Sequence, residues 1–151
     1  MAKEIERKFL VTDKSYRELA TACHTIKQGY LSNDPDRTVR IRLKDDAAYI
    51  TIKTRNVGAE RNEWEYPIPA GDAEAMLCHC TGNVISKRRY IVPEPSGLQW
   101  EVDEFEGALA PLVVAEIELP AVDTPFTPAS FIGEEVTDDP RYYNSALAAQ
   151  V

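Results

Sequence analysis

Charge and apolarity alternate along almost every extended stretch of this chain, and that alternation constrains its fold more than any other feature. Side chains of a strand point to opposite faces with period two. Glu4, Glu6 and Lys8 therefore share one face of a first strand, and Ile5, Phe9 and Val11 share the other. The same sorting gives polar faces bearing Arg40, Arg42 and Lys44; Thr51, Lys53 and Arg55; Glu63 and Glu65; Lys87 and Arg89; Glu101 and Asp103; and Glu116 and Glu118. The opposite faces hold Val39, Ile41 and Leu43; Ile50 and Ile52; Trp64 and Tyr66; Tyr90 and Val92; Trp100 and Val102; and Ala115, Ile117 and Leu119, with Arg7 and Arg88 as exceptions.

The pattern predicts strands over 4–11, 25–31, 38–44, 48–55, 61–68, 84–92, 98–105 and 112–119, separated by Gly, Pro and Asp clusters. Short helices are expected over 13–22 from an Asp13 N-cap, over 72–80, and over 140–149, where Asp139 caps and Pro140 takes the first helical position. The Pro-containing stretch 120–133 reads as irregular chain wrapping the outside. Many strands and few helices point to a mainly β (α+β) fold. A closed eight-stranded antiparallel β-barrel removes the sheet edges that such a chain otherwise exposes.

A charged strand face is ordinarily the solvated outside of a barrel, with acidic strands beside basic ones. Three features favour the inverse arrangement. Signs are segregated by strand, which is costly between neighbours unless a ligand neutralises them. The polar faces carry almost no Ser, Asn or Gln. The apolar faces include both Trp residues, and Leu19, Met76, Leu77 and Leu147 of the expected helices are available to cover them from outside. The barrel is therefore read as a tunnel with a charged lumen and a few helices packed outside.

The length of 151 residues suits one domain, 1–151. No apolar run approaches the roughly 20 residues that span a bilayer, and the Met-Ala-Lys-Glu start lacks the apolar core of a signal peptide. These features predict a cytoplasmic protein without a membrane partner. A net charge of −8 disfavours nucleic acid. Three cysteines fit reduced thiols. Cys78-His79-Cys80 lacks the spacing of the usual zinc modules, and Cys23 and Cys78 read as small residues on helices. Trp64 and Trp100 leave room for a homodimer.

Arg forks and Lys ammoniums suit phosphate oxygens, and carboxylates suit hard cations such as Mg²⁺ or Mn²⁺. A lumen with acids grouped apart from bases therefore suits a polyanion with its divalent metal, which is the setting of phosphoryl transfer.

The ordered series Glu4-x-Glu6-x-Lys8, Gln28-Gly29-Tyr30-Leu31, Arg40-Ile41-Arg42, Thr51-Ile52-Lys53, Glu63-Trp64-Glu65, Lys87-Arg88-Arg89-Tyr90, Trp100-Glu101-Val102-Asp103, Ala115-Glu116-Ile117-Glu118 and Gly133-Glu134-Glu135-Val136-Thr137 resembles the triphosphate tunnel metalloenzymes of the CYTH superfamily, nearly end to end. The resemblance implies a triphosphate-containing small-molecule substrate and Mg²⁺ or Mn²⁺. By position, Glu4, Glu6, Asp103, Glu116 and Glu118 would ligate metal. Lys8, Arg40, Arg42, Lys53, Arg55, Lys87 and Arg89 would hold phosphates, and Glu63 and Glu65 would orient basic side chains or meet a second metal. Lys87 would activate or position the attacking water, and Arg42 and Lys8 would be catalytic with it. The Glu-Ile-Glu-Arg-Lys-Phe-Leu-Val start is similar to that of short bacterial inorganic triphosphatases, which cleave tripolyphosphate to pyrophosphate and phosphate. The alternatives are a class IV-type adenylyl cyclase, a nucleoside or thiamine triphosphatase, and a non-catalytic polyphosphate- or nucleotide-binding module. Pro111-Leu112 stands where many short members have Gly-Leu, and Phe131 where they have Trp; neither change touches a charged position.

Overall fold

Antiparallel pairing closes the chain on itself. The computed structural model describes residues 3–150. Its elements are, in order, β1 (Lys3–Val11), α1 (Tyr16–Leu19), β2 (Ala22–Asp34), β3 (Arg37–Lys44), β4 (Ala47–Thr54), β5 (Glu60–Ile68), α2 (Ala70–Leu77), β6 (Thr81–Pro93), β7 (Gln99–Phe105), β8 (Val113–Glu118), β9 (Ile132–Glu135) and α3 (Asn144–Gln150). The strands run β5-β4-β3-β2-β6-β7-β8-β1, and β1 returns to β5 through Lys3↔Asn62, Glu4↔Arg61 and Ile5↔Glu60. The result is the expected mainly β fold, a closed eight-stranded antiparallel barrel. Strand β9 continues along β1 at Phe9↔Glu135 and Val11↔Ile132, beyond the point where β5 ends.

The principal apolar core lies outside this barrel. Phe9, Trp100, Val102, Ala115 and Ile117, from the outward faces of β1, β7 and β8, pack with Tyr16 of α1 and with Phe131. Trp100 is fully buried and meets Phe9 and Phe126 edge-on, at 5.6 Å between ring centroids in each case. Burial of such large side chains is the main favourable contribution to folding, so the wrapping segment is an integral layer of the structure. A second patch, Ile41 and Ala48, is covered by Ala73 and Leu77 of α2. Gly29 permits this close approach, since a Cβ there would lie 2.8 Å from Cys80 Sγ.

Several local expectations change. Helix α1 is a single turn, and Leu19 is half exposed. Asp13 accepts a hydrogen bond from Ser15 N at 2.8 Å and forms a turn ahead of the helix. Strand β2 begins at Ala22 because it pairs with β6 from Ala22↔Ile91 onward, so Cys23 lies on a strand. Trp100, considered for an intersubunit face, is wholly covered, whereas Trp64 is 39% exposed. In the tail, β9 forms where irregular chain was expected; it is fixed by Arg7, whose Nε and Nη2 donate to Glu135 at 2.8 and 2.5 Å. The last helix is split into a 3-10 turn over Pro140–Tyr142 and α3.

Leu147 covers no outer face. It packs with Tyr30, Ile85, Phe105 and Val114, which share strand parity with the charged residues Arg40 and Arg42 (through Gln28), Lys87, Asp103 and Glu116. The inward face of the barrel thus becomes apolar at one end, and α3 seats there.

Candidate active site

The inward faces surround a cavity of about 230 Å³. Glu4, Glu6, Glu101, Glu116 and Glu118 line it together with Arg40, Arg42, Lys53, Arg61, Arg89 and Glu65; Lys44, Tyr49 and Asn144 complete it. The strands account for this placement. On β1 and β8, Glu6 faces Glu118 and Lys8 faces Glu116; on β7 and β8, Glu101 faces Glu116. Like charges directly opposite on paired strands destabilise a sheet; Arg89 Nη1 donates to Glu101 at 3.2 Å and Lys8 lies 3.7 Å from Glu116, whereas Glu6 and Glu118 have no Lys or Arg partner among the described residues. Arg40 and Arg42 project from β3, across the sheet order from that wall.

The acids differ in state. Burial, then Glu116 and Glu4, push the Glu6 carboxyl well above the usual range. Desolvation, then Glu4, Glu63 and Glu101, push Glu118 up to about 7. Burial also raises Glu116, but Lys8, 3.7 Å away, and then Arg89 hold it well below the ordinary value. Glu4 is likewise resisted by burial and is brought down to about 2, because Lys53 Nζ donates to both its oxygens at 3.1 Å and Arg61 Nε donates at 3.0 Å. Among the described residues, no three His, Cys, Asp or Glu side chains converge as a preset metal cage. Mg²⁺-type sites commonly use one or two carboxylates completed by substrate phosphates and water, and Glu6 and Glu118, without a Lys or Arg partner among the described residues, fit that requirement.

Two expected metal ligands accept hydrogen bonds from cations. Besides Glu4, Asp103 accepts from Lys87 Nζ at 2.7 Å and from Arg89 Nε and Nη2 at 2.8 and 2.9 Å. Burial pushes Asp103 up, and Arg89 and Lys87 more than offset it. Lys87 is completely buried behind the cavity wall, above the Phe105 ring, and also donates to Asn144 Oδ1 at 3.2 Å. Burial, then Arg89 and Arg42, bring its pKa down to about 7. Arg42 falls to about 9 through burial and then Arg40 and Arg89. Lys8 Nζ lies beside Glu116 and donates to Tyr142 O at 3.1 Å. Glu65 Oε2 accepts from Thr51 Oγ1 at 2.8 Å and Arg40 Nη2 at 3.4 Å, and Glu63 lies 3.3 Å from Lys53 Nζ.

Arg55 does not join the cavity. Strand β4 ends at Thr54, so period-two placement no longer applies one residue later; the exposed Arg55 instead donates to Asp36 at 2.6 Å. Sequence reasoning missed Gln28, whose Oε1 accepts from Arg42 Nε and Nη2 at 2.8 and 2.6 Å. It also missed Arg61, although Arg61 has the parity of Glu63 and Glu65 and was legible on that basis. Asn144 carries no such signal, because a helix delivers it.

A CYTH domain model matches residues 2–143. The chain belongs to the CYTH family. This CYTH protein is 46% identical to an inorganic triphosphatase of Acetivibrio thermocellus over 148 residues, covering 97% of this chain and 94% of the relative. It is 36% identical to an inorganic triphosphatase of Nitrosomonas europaea over 151 residues, covering 98% of each. The crystal structure of an inorganic triphosphatase superposes with a TM-score of 0.69 at 33% identity, over 100% of this chain and 97% of that one. A Hippeastrum protein with a dominant triphosphatase activity shares the fold, with a TM-score of 0.60 at 16% identity over 80% of each chain.

Proposed function

We propose that this CYTH protein hydrolyses inorganic triphosphate to pyrophosphate and phosphate in its tunnel, with Mg²⁺ or Mn²⁺. One observation carries the reading: an acid wall in which Glu6 faces Glu118 and Glu101 faces Glu116 shares a single small cavity with Arg40, Arg42, Arg89 and Lys53. The inorganic triphosphatases that align over nearly the whole chain support the choice of substrate. The lining is almost wholly charged, with Tyr49 the lone aromatic among the described lining residues, and that suits a bare polyphosphate better than a nucleoside.

In this reading Glu6, Glu116 and Glu118 would hold the metal, which would supply Lewis-acid neutralisation of phosphate charge. Glu4 and Asp103 position cations: Glu4 fixes Lys53 and Arg61, and Asp103 fixes Lys87 and Arg89. Arg40, Arg42, Arg89, Lys53 and Lys8 hold the phosphates and the charge that develops on them. Lys87, with a pKa near neutrality, acts on the attacking water from behind the cavity wall, as a base at Nζ or as its positioner, and Asp103 and Asn144 orient that nitrogen. Phosphate release from tripolyphosphate, ATP and thiamine triphosphate, assayed in parallel with each metal or chelator and with cyclic AMP measured in the ATP reaction, tests the proposal. Metal-dependent release mainly from tripolyphosphate is the expected result. Cyclic AMP would make the protein a cyclase, and the absence of turnover would leave a binding module.

A further inference from the structure

A second chamber of about 320 Å³ lies at the α3 end of the barrel, and Arg61 lines both it and the central cavity. The Arg61 guanidinium is held at Nε by Glu4, and its terminal nitrogens have no partner among the described residues. It can therefore serve the chamber without releasing its anchor. Arg55, whose side chain is 64% exposed, stands on the same chamber with its Nε held by Asp36 at 2.6 Å, and Asn56 and Ser145 are further hydrogen-bonding groups. No carboxylate lines the chamber among the described residues, although the chain carries a net charge of −8 and acids line the central cavity. Asn33 adds an acceptor: its Nδ2 donates to Ser145 O at 3.1 Å, which fixes the amide and leaves Oδ1 buried without a donor.

We propose that this chamber is an orthophosphate site, contiguous with the tunnel through Arg61. Hydrogenphosphate matches its chemistry, offering oxygens that accept from the two arginines and a P–OH that can donate to Asn33. The proposal rests on the triphosphatase reading only in that orthophosphate is a product of that reaction. A product released toward this end meets Arg61 first and then a cationic chamber open to solvent, while pyrophosphate remains on the cradle.

The test is calorimetric titration of orthophosphate into the chain in chelator, which requires no turnover. Two variants accompany the wild type: Ala146→Phe, which fills the chamber from α3, and Arg55→Ala, which removes an exposed cation with little hazard to folding. The expected result is stoichiometric phosphate binding by the wild type, weakened at least tenfold in Arg55→Ala and in folded Ala146→Phe. In turnover assays, orthophosphate inhibition of both variants should weaken in parallel, with kcat for tripolyphosphate within threefold of wild type in Ala146→Phe. Equal phosphate affinity in the wild type and Arg55→Ala overturns the proposal, as does an absence of binding by the wild type. A chain that binds phosphate in this way but leaves tripolyphosphate intact retains the site and refutes only the triphosphatase reading.

Discussion

Glu6 and Glu118 stand directly opposite one another on paired strands, with no Lys or Arg within ion-pair distance of either among the described residues. Nearby Glu4 accepts from both Lys53 and Arg61. The same residue type on the same lumen therefore exists in two states, one neutralised by protein cations and one pushed up by burial and neighbouring carboxylates. The first prediction concerns the second state. Glu6→Gln and Glu118→Gln should each abolish metal-dependent phosphate release, and metal titration followed by phosphate assay checks this. Unchanged metal dependence in both would move the metal away from this wall.

The raised pKa of Glu118 has a defined stability consequence. A carboxyl with a folded-state pKa of about 7, above an unfolded value near 4.5, favours the folded state fully at pH below that unfolded value, and the contribution is lost as pH rises through 7. The melting temperature of the metal-free protein should therefore fall between about pH 4.5 and 7.5. Glu118→Gln should flatten that decline, and added Mg²⁺ should recover stability at the alkaline end through preferential binding to the folded state. Thermal melts across this range, with chelator or metal, provide the measurement.

Lys87→Ala should lower kcat by about 10²-fold or more while tripolyphosphate still binds. Lys87→Arg keeps the positive charge but cannot yield a proton near neutrality, so it should remain as impaired as Lys87→Ala. Recovery of turnover in the arginine variant would assign Lys87 to electrostatic positioning.

Gln28 is fully buried and supplies the carbonyl oxygen that receives two hydrogen bonds from Arg42. Gln28→Leu leaves those buried donors unmatched, at a cost of about 1–3 kcal/mol. The expected effect is a rise in KM of about tenfold or more as Arg42 loses its orientation, with a smaller change in kcat. Steady-state kinetics on tripolyphosphate would show it.

Trp100 sits at the centre of the external core. Trp100→Ala should destabilise the fold by about 3–5 kcal/mol, as large-to-small changes of aromatic core residues do, and denaturant unfolding reads this directly. Trp64→Ala, on an exposed position, should change stability far less.

The alternation of side chains by itself determined which residues share a face, because period two is a local property: once Ile5, Phe9, Trp100, Val102 and Ile117 must be buried, Glu6, Glu101, Asp103 and Glu116 are forced to the other face. The inversion of the barrel needed more than parity, namely the segregation of signs by strand and the Trp residues on the apolar faces. Parity also placed most of the residues that line the cavity. Tertiary structure decided what each charge does. Glu4 and Glu6 are indistinguishable by parity, yet β5 pairs with β1 only over Lys3–Ile5 and so brings Arg61 to Glu4 alone. Tyr30, Ile85, Phe105 and Val114 follow the lumen parity but meet Leu147, since a C-terminal helix distant in sequence folds back onto that end of the barrel. Arg55 leaves the lumen because its strand stops one residue earlier. Local spacing fixes the face on which a side chain lies, whereas pairing partners, strand ends and long-range packing fix which charges meet, and so which carboxylates a cation of the protein engages and which it leaves.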